Sequence, residues 1–251
     1  MEFPVYFHIG SLKLHPHVVM EAVAYSVGFY LVLLRRLKNV PDASGLTPSQ
    51  RSSVAVGALV GALSGAKLLV AFHHANVLIE DWRMYLLVVL QGKTIVGALL
   101  GGLAGVETTK RMIGVRRSTG DSFVYSVLWG MVIGRVGCFL TGVSDRTYGI
   151  ATTLPWGVDF GDGILRHPTQ LYEIVFLLLV FLVLKWLEQQ PRKDGDLFKF
   201  YMIAYLSFRF LIDFIKPEFR LLLGMSAIQI ACLGGLAYYF SISRKRLVRR
   251  L

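Results

Sequence analysis

Seven long apolar segments constrain the fold of this chain more than any other feature. They lie near residues 18–34, 53–72, 94–109, 122–142, 168–187, 198–215 and 225–243. A hydrocarbon core of roughly 30 Å needs about 20 apolar residues of helix to cross it. The segments lack the in-out alternation of barrel strands, which favours helices. We therefore predict an all-α, polytopic integral membrane protein with about seven transmembrane helices, forming a single membrane domain over residues 1–251.

The composition and the distribution of charge agree with this class. Hydrophobic residues make up 54% of the 251 residues and charged residues only 17%, which is too apolar for a typical soluble domain. Of the 27 Lys and Arg residues, 17 lie in the connections 35–52, 110–121 and 185–199 and in the tail 244–251, against 7 on the opposite side. This asymmetry predicts an extracytoplasmic N-terminus and a cytoplasmic C-terminus. It also accounts for the net charge of +11, so nucleic acid is not expected as a partner.

Two connections on the predicted outer face have the composition of ordered structure. Residues 73–93 combine a short apolar stretch with Trp82 and Tyr85, which predicts an amphipathic helix at the membrane interface. Residues 143–167 are rich in turn-forming residues and predict a small extracytoplasmic cap. The glycines of the third apolar segment, GALLGGLAGVE, predict close helix packing.

Two arginines inside apolar segments are the first candidates for function. A charge within the membrane costs at least about 2.5 kcal/mol, so such residues are functional candidates by default. Arg135 lies in the stretch GRVGCFLTG and Arg209 in the sixth segment. A structural ion pair is one explanation, because Asp213 follows Arg209 by four residues on the same helix face. We favour the other, that the two guanidinium groups converge on the phosphate of a phospholipid, which they bind well.

The segment RHPTQLYE, residues 166–173, forms a second cluster of polar residues. Its candidate site residues are Arg166, His167, Gln170 and either Tyr172 or Glu173. Pro168 fits the first turn of the fifth apolar helix. The alternative is that these residues only cap a helix that begins at the interface.

A third pair, His17 and Glu21, lies at the start of the first apolar segment. The two residues are four apart and share a helix face. Glu21 is either a general base or simply the partner of His17. For Lys67 and Glu107, which also fall within apolar segments, we expect snorkelling or a structural ion pair. No metal site or cofactor is expected, since both cysteines, Cys138 and Cys232, lie in apolar segments.

The order of these motifs resembles that of the bacterial prolipoprotein diacylglyceryl transferases. GRVGCFLTG is followed by RHPTQLYE, YLSFRFLIDFIKP and GMSAIQ, and the opening VYFHIGSLKLH and AYSVGF match the start of that family. The resemblance covers essentially the whole chain. It implies a multi-pass enzyme of the bacterial inner membrane without a cofactor. The implied reaction moves the diacylglyceryl group of phosphatidylglycerol to the lipobox cysteine in a prolipoprotein signal peptide and releases glycerol 1-phosphate.

The resemblance also assigns roles to individual residues. It implies that Arg135 and Arg209 hold the phospholipid phosphate, and that Gly149 ends the signature loop. Asp213 stands where the family has a glutamate. The expected substrate-binding residues are Arg135, Arg209, Arg166, Gln170, Tyr172, Gly149 and Cys138.

Four departures mark the chain as a divergent member. Cys138 replaces an asparagine of the family signature and Val143 its following glutamate. Val96 stands in the place of the family's histidine, and Glu21 in that of its first-segment tyrosine. Because Val96 cannot move a proton, the candidates for a general base are Glu21, His17 and His167, of which Glu21 and His167 join the two arginines as expected catalytic residues.

These departures leave two alternative functions open. The first is a lipid transferase that uses phosphatidylglycerol with a different acceptor. The second is a non-catalytic membrane protein that binds or translocates phosphatidylglycerol or another anionic phospholipid.

Overall fold

The computed structural model describes residues 2–37 and 45–248 of the chain. Three of the basic residues counted toward the predicted orientation, Lys38, Arg249 and Arg250, lie outside the described residues.

Helices dominate the described residues. They are α1 Pro16–Leu37, α2 Pro48–His73, α3 Ala75–Glu80, α4 Trp82–Gln91, α5 Ile95–Met112, α6 Val124–Thr141, α7 Thr169–Glu188, α8 Asp196–Ile212 and α9 Ala227–Val248. Each of the seven apolar segments falls on one helix, in the order α1, α2, α5, α6, α7, α8 and α9. The mostly helical, membrane-type fold is therefore confirmed.

Helix length and composition identify fewer membrane spans than the seven predicted from the sequence. Four helices are long and apolar enough to cross a membrane: Pro16–Leu34 in α1, all of α2, Val124–Asp145 including α6, and all of α7. Helices α4 and α5 meet at a bend of 70° and would make a fifth span if counted together. Helix α8 has 17 residues, and the apolar part of α9, Ala227–Ser241, is also short. The count of seven stays a prediction.

Two small antiparallel hairpins accompany the helices. Strand β1 (Phe7–Ile9) pairs with β2 (Leu12–Leu14), with His8 opposite Lys13. Strand β3 (Val158–Asp159) pairs with β4 (Leu165–Arg166). The sequence analysis did not anticipate these strands, because two or three residues are too few to show an alternation of apolar and polar side chains. In the segment 73–93, a helix was expected and two short ones, α3 and α4, are present.

The chain divides into two compact units. The first comprises residues 1–43, 119–205 and 214–217, and the second comprises residues 44–118, 206–213 and 218–251. In the first unit α6 packs against α1 and α7, and in the second unit α2 and α5 pack against each other and against α9. The single membrane domain predicted over residues 1–251 stays a prediction.

Glycines create a close contact between α2 and α5 in the second unit. They recur at every fourth position of both helices, as Gly57, Gly61 and Gly65 in α2 and Gly97, Gly101 and Gly105 in α5. A Cβ atom added at Gly61 would lie 2.3 Å from the carbonyl oxygen of Gly101, and one at Gly101 would lie 2.2 Å from that of Gly61. The backbones thus touch directly, as the glycines of the third apolar segment predicted.

Two charged residues of this unit have structural partners. The Lys67 ammonium donates to the carbonyl oxygens of Leu90 and Gly92 at 2.6 and 2.7 Å, where it satisfies the end of α4. The Glu107 carboxylate pairs with Lys110 at 2.8 Å. Glu107 has the ion pair expected of it, whereas Lys67 bonds to backbone rather than to a carboxylate.

Candidate active site

Arg135 lies buried in α6 and forms an ion pair with Glu173 of α7. Its Nε is 2.9 Å from Glu173 Oε2, and both side chains are less than a tenth exposed. The hydroxyl of Tyr205 in α8 donates to the other carboxylate oxygen, Oε1, at 2.9 Å. Buried charges require such partners, since an unpaired one costs several kcal/mol. The pair therefore anchors the guanidinium of Arg135 through its Nε side.

The other contact of this guanidinium is with a thiol. Arg135 Nη1 lies 3.8 Å from Cys138 Sγ, one turn further along α6. Sulfur is a weak hydrogen-bond acceptor, so this contact holds Nη1 far less strongly than a carboxylate would. The arrangement leaves Arg135 able to bind an anionic oxygen.

Cys138 in turn lies beside the first turn of α1. Gly137 permits this approach, because a Cβ atom there would lie 2.7 Å from the Cβ of Met20 and 3.7 Å from the Cα of His17. One donor atom from each of His17, Cys138 and Asp145 lies within 4.8 Å of the other two. A residue from the first turn of α1 therefore meets two residues from the end of α6 and the turn that follows it.

His17 connects two carboxylates. Its Nδ1 lies 3.1 Å from Asp145 Oδ1, and its Nε2 lies 3.7 Å from Glu21 Oε2. The Tyr25 hydroxyl donates to the other oxygen of Glu21 at 2.7 Å. The predicted pair of His17 and Glu21 is thus part of a larger polar group that includes Asp145.

Gln170 belongs to the same polar network. Its Nε2 donates to the Thr147 hydroxyl at 3.0 Å, and that hydroxyl donates to Asp145 Oδ2 at 2.6 Å. The amide oxygen of Gln170 is buried and has no hydrogen-bond partner among the described residues. An unsatisfied buried acceptor is costly, which makes it a candidate contact for a ligand hydroxyl.

The other candidates of the RHPTQLYE segment make different contacts. His167 Nδ1 lies 3.1 Å from the Tyr172 hydroxyl, which accepts a hydrogen bond from Trp156 Nε1 at 2.8 Å. Arg166 pairs with Asp162 and lies 4.8 Å from the centre of the Tyr148 ring. Its hydrogen bond lowers the pKa of the Asp162 carboxyl. In the part of the chain that the structure describes, none of these contacts joins Arg166, His167 or Tyr172 to Arg135.

Gly149 lies where the backbone packs too closely for a side chain. A Cβ atom there would lie 2.7 Å from the Cβ of His167 and 2.8 Å from the carbonyl oxygen of Ile215. Its amide donates to the carbonyl of His167 at 2.9 Å. Only glycine fits between these groups, so Gly149 holds the loop against the start of α7.

Arg209 lies buried in α8, within the second unit, and has its own carboxylate. Its Nη2 is 3.2 Å from Oδ1 of Asp213, which is completely buried. The Arg220 guanidinium donates to the Asp213 carbonyl at 2.9 Å, and the Ser226 hydroxyl donates to Asp213 Oδ2. Asp213 is therefore held from three directions.

The GMSAIQ motif supplies the support around Asp213. Ser226 and Gln229 bond reciprocally at the start of α9: the Ser226 amide donates to Gln229 Oε1 at 3.0 Å, and the Gln229 amide donates to Ser226 Oγ at 3.1 Å. This capping box orients the Ser226 hydroxyl toward Asp213. One nitrogen of Arg209, Nη1, is buried and has no hydrogen-bond partner among the described residues.

Several residues of this site were not selected from the sequence. They are Asp145, Thr147, Tyr205, Ser226 and Gln229, together with Glu173, which was noted but not chosen over Gln170 and Tyr172. A carboxylate inside an apolar helix was a usable signal for Glu173, by the same reasoning that selected Arg135. The partnership of Cys138, His17 and Asp145 had no such signal, since it depends on the packing of α1 against α6.

Comparisons with known proteins agree with the motifs. The family model "Prolipoprotein diacylglyceryl transferase" matches residues 4–242. A phosphatidylglycerol–prolipoprotein diacylglyceryl transferase from Campylobacter lari is 31% identical over 246 residues, which covers 91% of this chain and 88% of the relative. Enzymes of the same name from Actinobacillus pleuropneumoniae and Vibrio atlanticus are each 29% identical and cover 85% and 87% of this chain and 80% of their own lengths.

These matches extend over nearly all of the described helices. Members of the family are transferases and multi-pass proteins of the bacterial inner membrane, and the long apolar helices α1, α2, α6 and α7 suit that setting. The family assignment made from the motif order is confirmed. This chain belongs to the prolipoprotein diacylglyceryl transferase family.

Proposed function

We propose that this protein transfers the diacylglyceryl group of phosphatidylglycerol to the thiol of the lipobox cysteine in a prolipoprotein signal peptide. The relatives are named for this pair of substrates. The product leaving the site is glycerol 1-phosphate. The reacting groups meet near the extracytoplasmic side, and the excess of basic residues in the connections opposite supports an extracytoplasmic N-terminus and a cytoplasmic C-terminus.

The observation that carries the proposal is the incomplete hydrogen bonding of the two buried arginines. Each is anchored by one carboxylate, Glu173 for Arg135 and Asp213 for Arg209. The Nη1 of Arg209 is buried without a hydrogen-bond partner among the described residues, and the Nη1 of Arg135 lies 3.8 Å from Cys138 Sγ, a weak acceptor. Guanidinium N–H groups in this condition favour an anionic oxygen ligand. The phosphate of a phospholipid supplies one.

Both arginines are proposed to bind the phosphate of the phospholipid. The motif order supports this, since Arg135 of GRVGCFLTG and Arg209 of YLSFRFLIDFIKP match the two arginines to which the family resemblance gives that role. The Asp213 carboxylate then orients Arg209 rather than competing for its second nitrogen.

Gln170 is proposed to recognise the head group. The glycerol of phosphatidylglycerol carries hydroxyl donors, and the amide oxygen of Gln170 is a buried acceptor without a partner among the described residues. The bond from its Nε2 to Thr147 fixes which end of the amide faces the ligand. Arg166, Tyr172 and Gly149 do not make this contact. Their proposed role is to stabilise the cap and the loop before α7.

The chemical step requires a thiolate and a stabilised leaving group. The acceptor sulfur attacks the glyceryl CH₂ carbon, the bond from that carbon to the phosphate oxygen breaks, and its electron pair stays on glycerol 1-phosphate. Hydrogen bonds to such a developing anion typically contribute about 3–4 kcal/mol per donor. Arg135 and Arg209 are proposed to supply these donors.

Glu21 is the proposed acceptor of the thiol proton. It lies next to His17 and is linked through it to the group that contains Cys138. His167 is the weaker candidate, since its Nδ1 contacts the Tyr172 hydroxyl. Proton transfer of this kind contributes about 10²–10⁴-fold to a rate.

Complementation tests the function directly. In cells depleted of their own transferase, expression of this protein should restore diacylglyceryl-modified lipoprotein, and Arg135→Gln or Arg209→Gln should abolish the restoration. Consumption of phosphatidylglycerol by the purified protein without complementation would indicate a different acceptor, which the replacements at Glu21, Val96 and Cys138 permit. Lipid binding without turnover would leave a non-catalytic phospholipid-binding protein.

A further inference from the structure

Three residues at the junction of α1 and α6 combine the donor atoms that zinc prefers. His17 supplies an imidazole nitrogen, Cys138 a sulfur and Asp145 a carboxylate oxygen, and these atoms lie within 4.8 Å of one another. Zinc is bound by nitrogen and sulfur with carboxylate oxygen, whereas magnesium and calcium need oxygen ligands almost alone. The donor set therefore favours zinc over magnesium and calcium.

The distances are compatible with tetrahedral coordination after a small adjustment. Zinc-ligand bonds of about 2.0–2.3 Å place neighbouring ligand atoms roughly 3.5 Å apart. His17 Nδ1 and Asp145 Oδ1 are already 3.1 Å apart. The three atoms are at most 4.8 Å apart, so the widest separation needs to close by about 1 Å for coordination.

The surroundings of the three residues support metal binding independently of the donor set. The second imidazole nitrogen of His17, Nε2, lies 3.7 Å from Glu21 Oε2, and metal-binding histidines usually have a carboxylate at this position. The Thr147 hydroxyl donates to the second oxygen of Asp145 at 2.6 Å. Asp145 is thus oriented by a hydrogen bond, and His17 lies within ion-pair distance of a carboxylate.

The local charges balance as well. The Arg135 guanidinium lies 3.8 Å from Cys138 Sγ, and Glu173 neutralises its charge. A Cys138 thiolate and the Asp145 carboxylate together offset the two charges of a zinc ion. Glu21 adds a further negative charge beside His17.

We propose that His17, Cys138 and Asp145 form a zinc site whose fourth position takes the acceptor thiol. Three protein ligands with one open position are typical of catalytic zinc sites, and a thiol that coordinates zinc loses its proton. The proton passes to Glu21, and the resulting thiolate is poised for the transfer. This deepens the proposed function and rests on it for the identity of the acceptor.

The proposed zinc site lies next to the arginine that is proposed to bind the lipid phosphate. Cys138 contacts Arg135, which is proposed to hold the lipid phosphate, so nucleophile and leaving group would be adjacent. His17 and Asp145 are partly accessible, with side chains 28% and 11% exposed, which leaves a route for an ion.

Metal binding by the full-length protein in detergent tests the site. We expect about one zinc ion per chain after dialysis against a zinc buffer. Replacement of zinc by cobalt should produce the sulfur-to-cobalt charge-transfer band of a thiolate ligand. Cys138→Ser should remove this band and Asp145→Asn should weaken metal retention, whereas Cys232→Ser, which changes the other buried cysteine, should leave both unchanged. Thermal unfolding of each variant verifies that it is folded.

The outcomes separate the site from the reaction. No retained metal, or a cobalt band that survives Cys138→Ser, overturns the zinc site, and the transferase proposal then stands on its own assay. A zinc-binding protein that transfers nothing from phosphatidylglycerol overturns the function and leaves the site. If both hold, removal of zinc by a chelator should lower transfer by about a hundredfold without loss of phosphatidylglycerol binding, and unchanged transfer would exclude the metal from the reaction.

Discussion

At the scale of single residues, the Arg135–Glu173 pair shows how burial changes the value of an ion pair. Glu173 and Glu188 have the same types of contact: each accepts a tyrosine hydroxyl at 2.9 Å and pairs with a basic residue at 2.9 Å. They differ in surroundings, since the Glu173 side chain is 3% exposed and that of Glu188 is 28% exposed. The two residues therefore form a matched comparison.

Glu173→Gln should be strongly destabilising and Glu188→Gln nearly neutral. Glutamine keeps an acceptor for the tyrosine in both cases, so only the charge is removed. Loss of one partner from a buried pair costs about 3–5 kcal/mol, whereas an exposed pair contributes about 0–1 kcal/mol. The free energy of unfolding in detergent measures the difference. Equal effects of the two substitutions would show that Arg135 does not depend on Glu173 for its charge balance.

Glu21 provides a second test at this scale. If Glu21 accepts the thiol proton, Glu21→Gln should lower turnover by about 10²–10⁴-fold while phosphatidylglycerol still binds. The control is His167→Gln, which changes another candidate base and should have a small effect on turnover. Unchanged turnover in Glu21→Gln would remove this residue from the mechanism.

At the scale of elements, the contact between α2 and α5 depends on backbone proximity. Gly101 and Gly102 are adjacent in α5, yet only Gly101 faces the backbone of α2: an added Cβ would lie 2.2 Å from the Gly61 carbonyl oxygen, against 3.5 Å from that of Ala58 for Gly102. Gly101→Ala should therefore lower the free energy of unfolding by about 1–3 kcal/mol, and Gly102→Ala should be neutral or slightly stabilising. A tolerated Gly101→Ala would contradict the close packing.

The elements also show what the sequence could and could not predict. Long apolar segments located seven helices because a helix of that length has an unmistakable composition. The hairpins β1–β2 and β3–β4 escaped prediction because their strands have two or three residues. The arginines were found because a charge in an apolar helix is costly, but the group of His17, Cys138 and Asp145 was not, because it depends on how α1 packs against α6 and no local pattern encodes that.

At the scale of the whole molecule, the predicted orientation can be tested on either side of α7. Ile164 before this helix and Lys193 after it are both exposed. A cysteine at position 164 should react with a membrane-impermeant maleimide in cells with a permeable outer membrane, and a cysteine at position 193 only after the inner membrane is opened. The native cysteines are buried and provide the background control. Labelling at 193 in intact cells would reverse the orientation.

The central proposal for the whole molecule is that Arg135 and Arg209 both bind the phosphate of phosphatidylglycerol. A double-mutant cycle tests it: the binding free energy of phosphatidylglycerol is measured for the native protein, for Arg135→Gln, for Arg209→Gln and for the double variant. If both arginines bind the same phosphate, their effects on binding should be coupled by about 1 kcal/mol or more. The double substitution then costs less binding free energy than the sum of the two single substitutions. Effects that add to within about 0.5 kcal/mol would show that the two arginines act separately and would contradict the account.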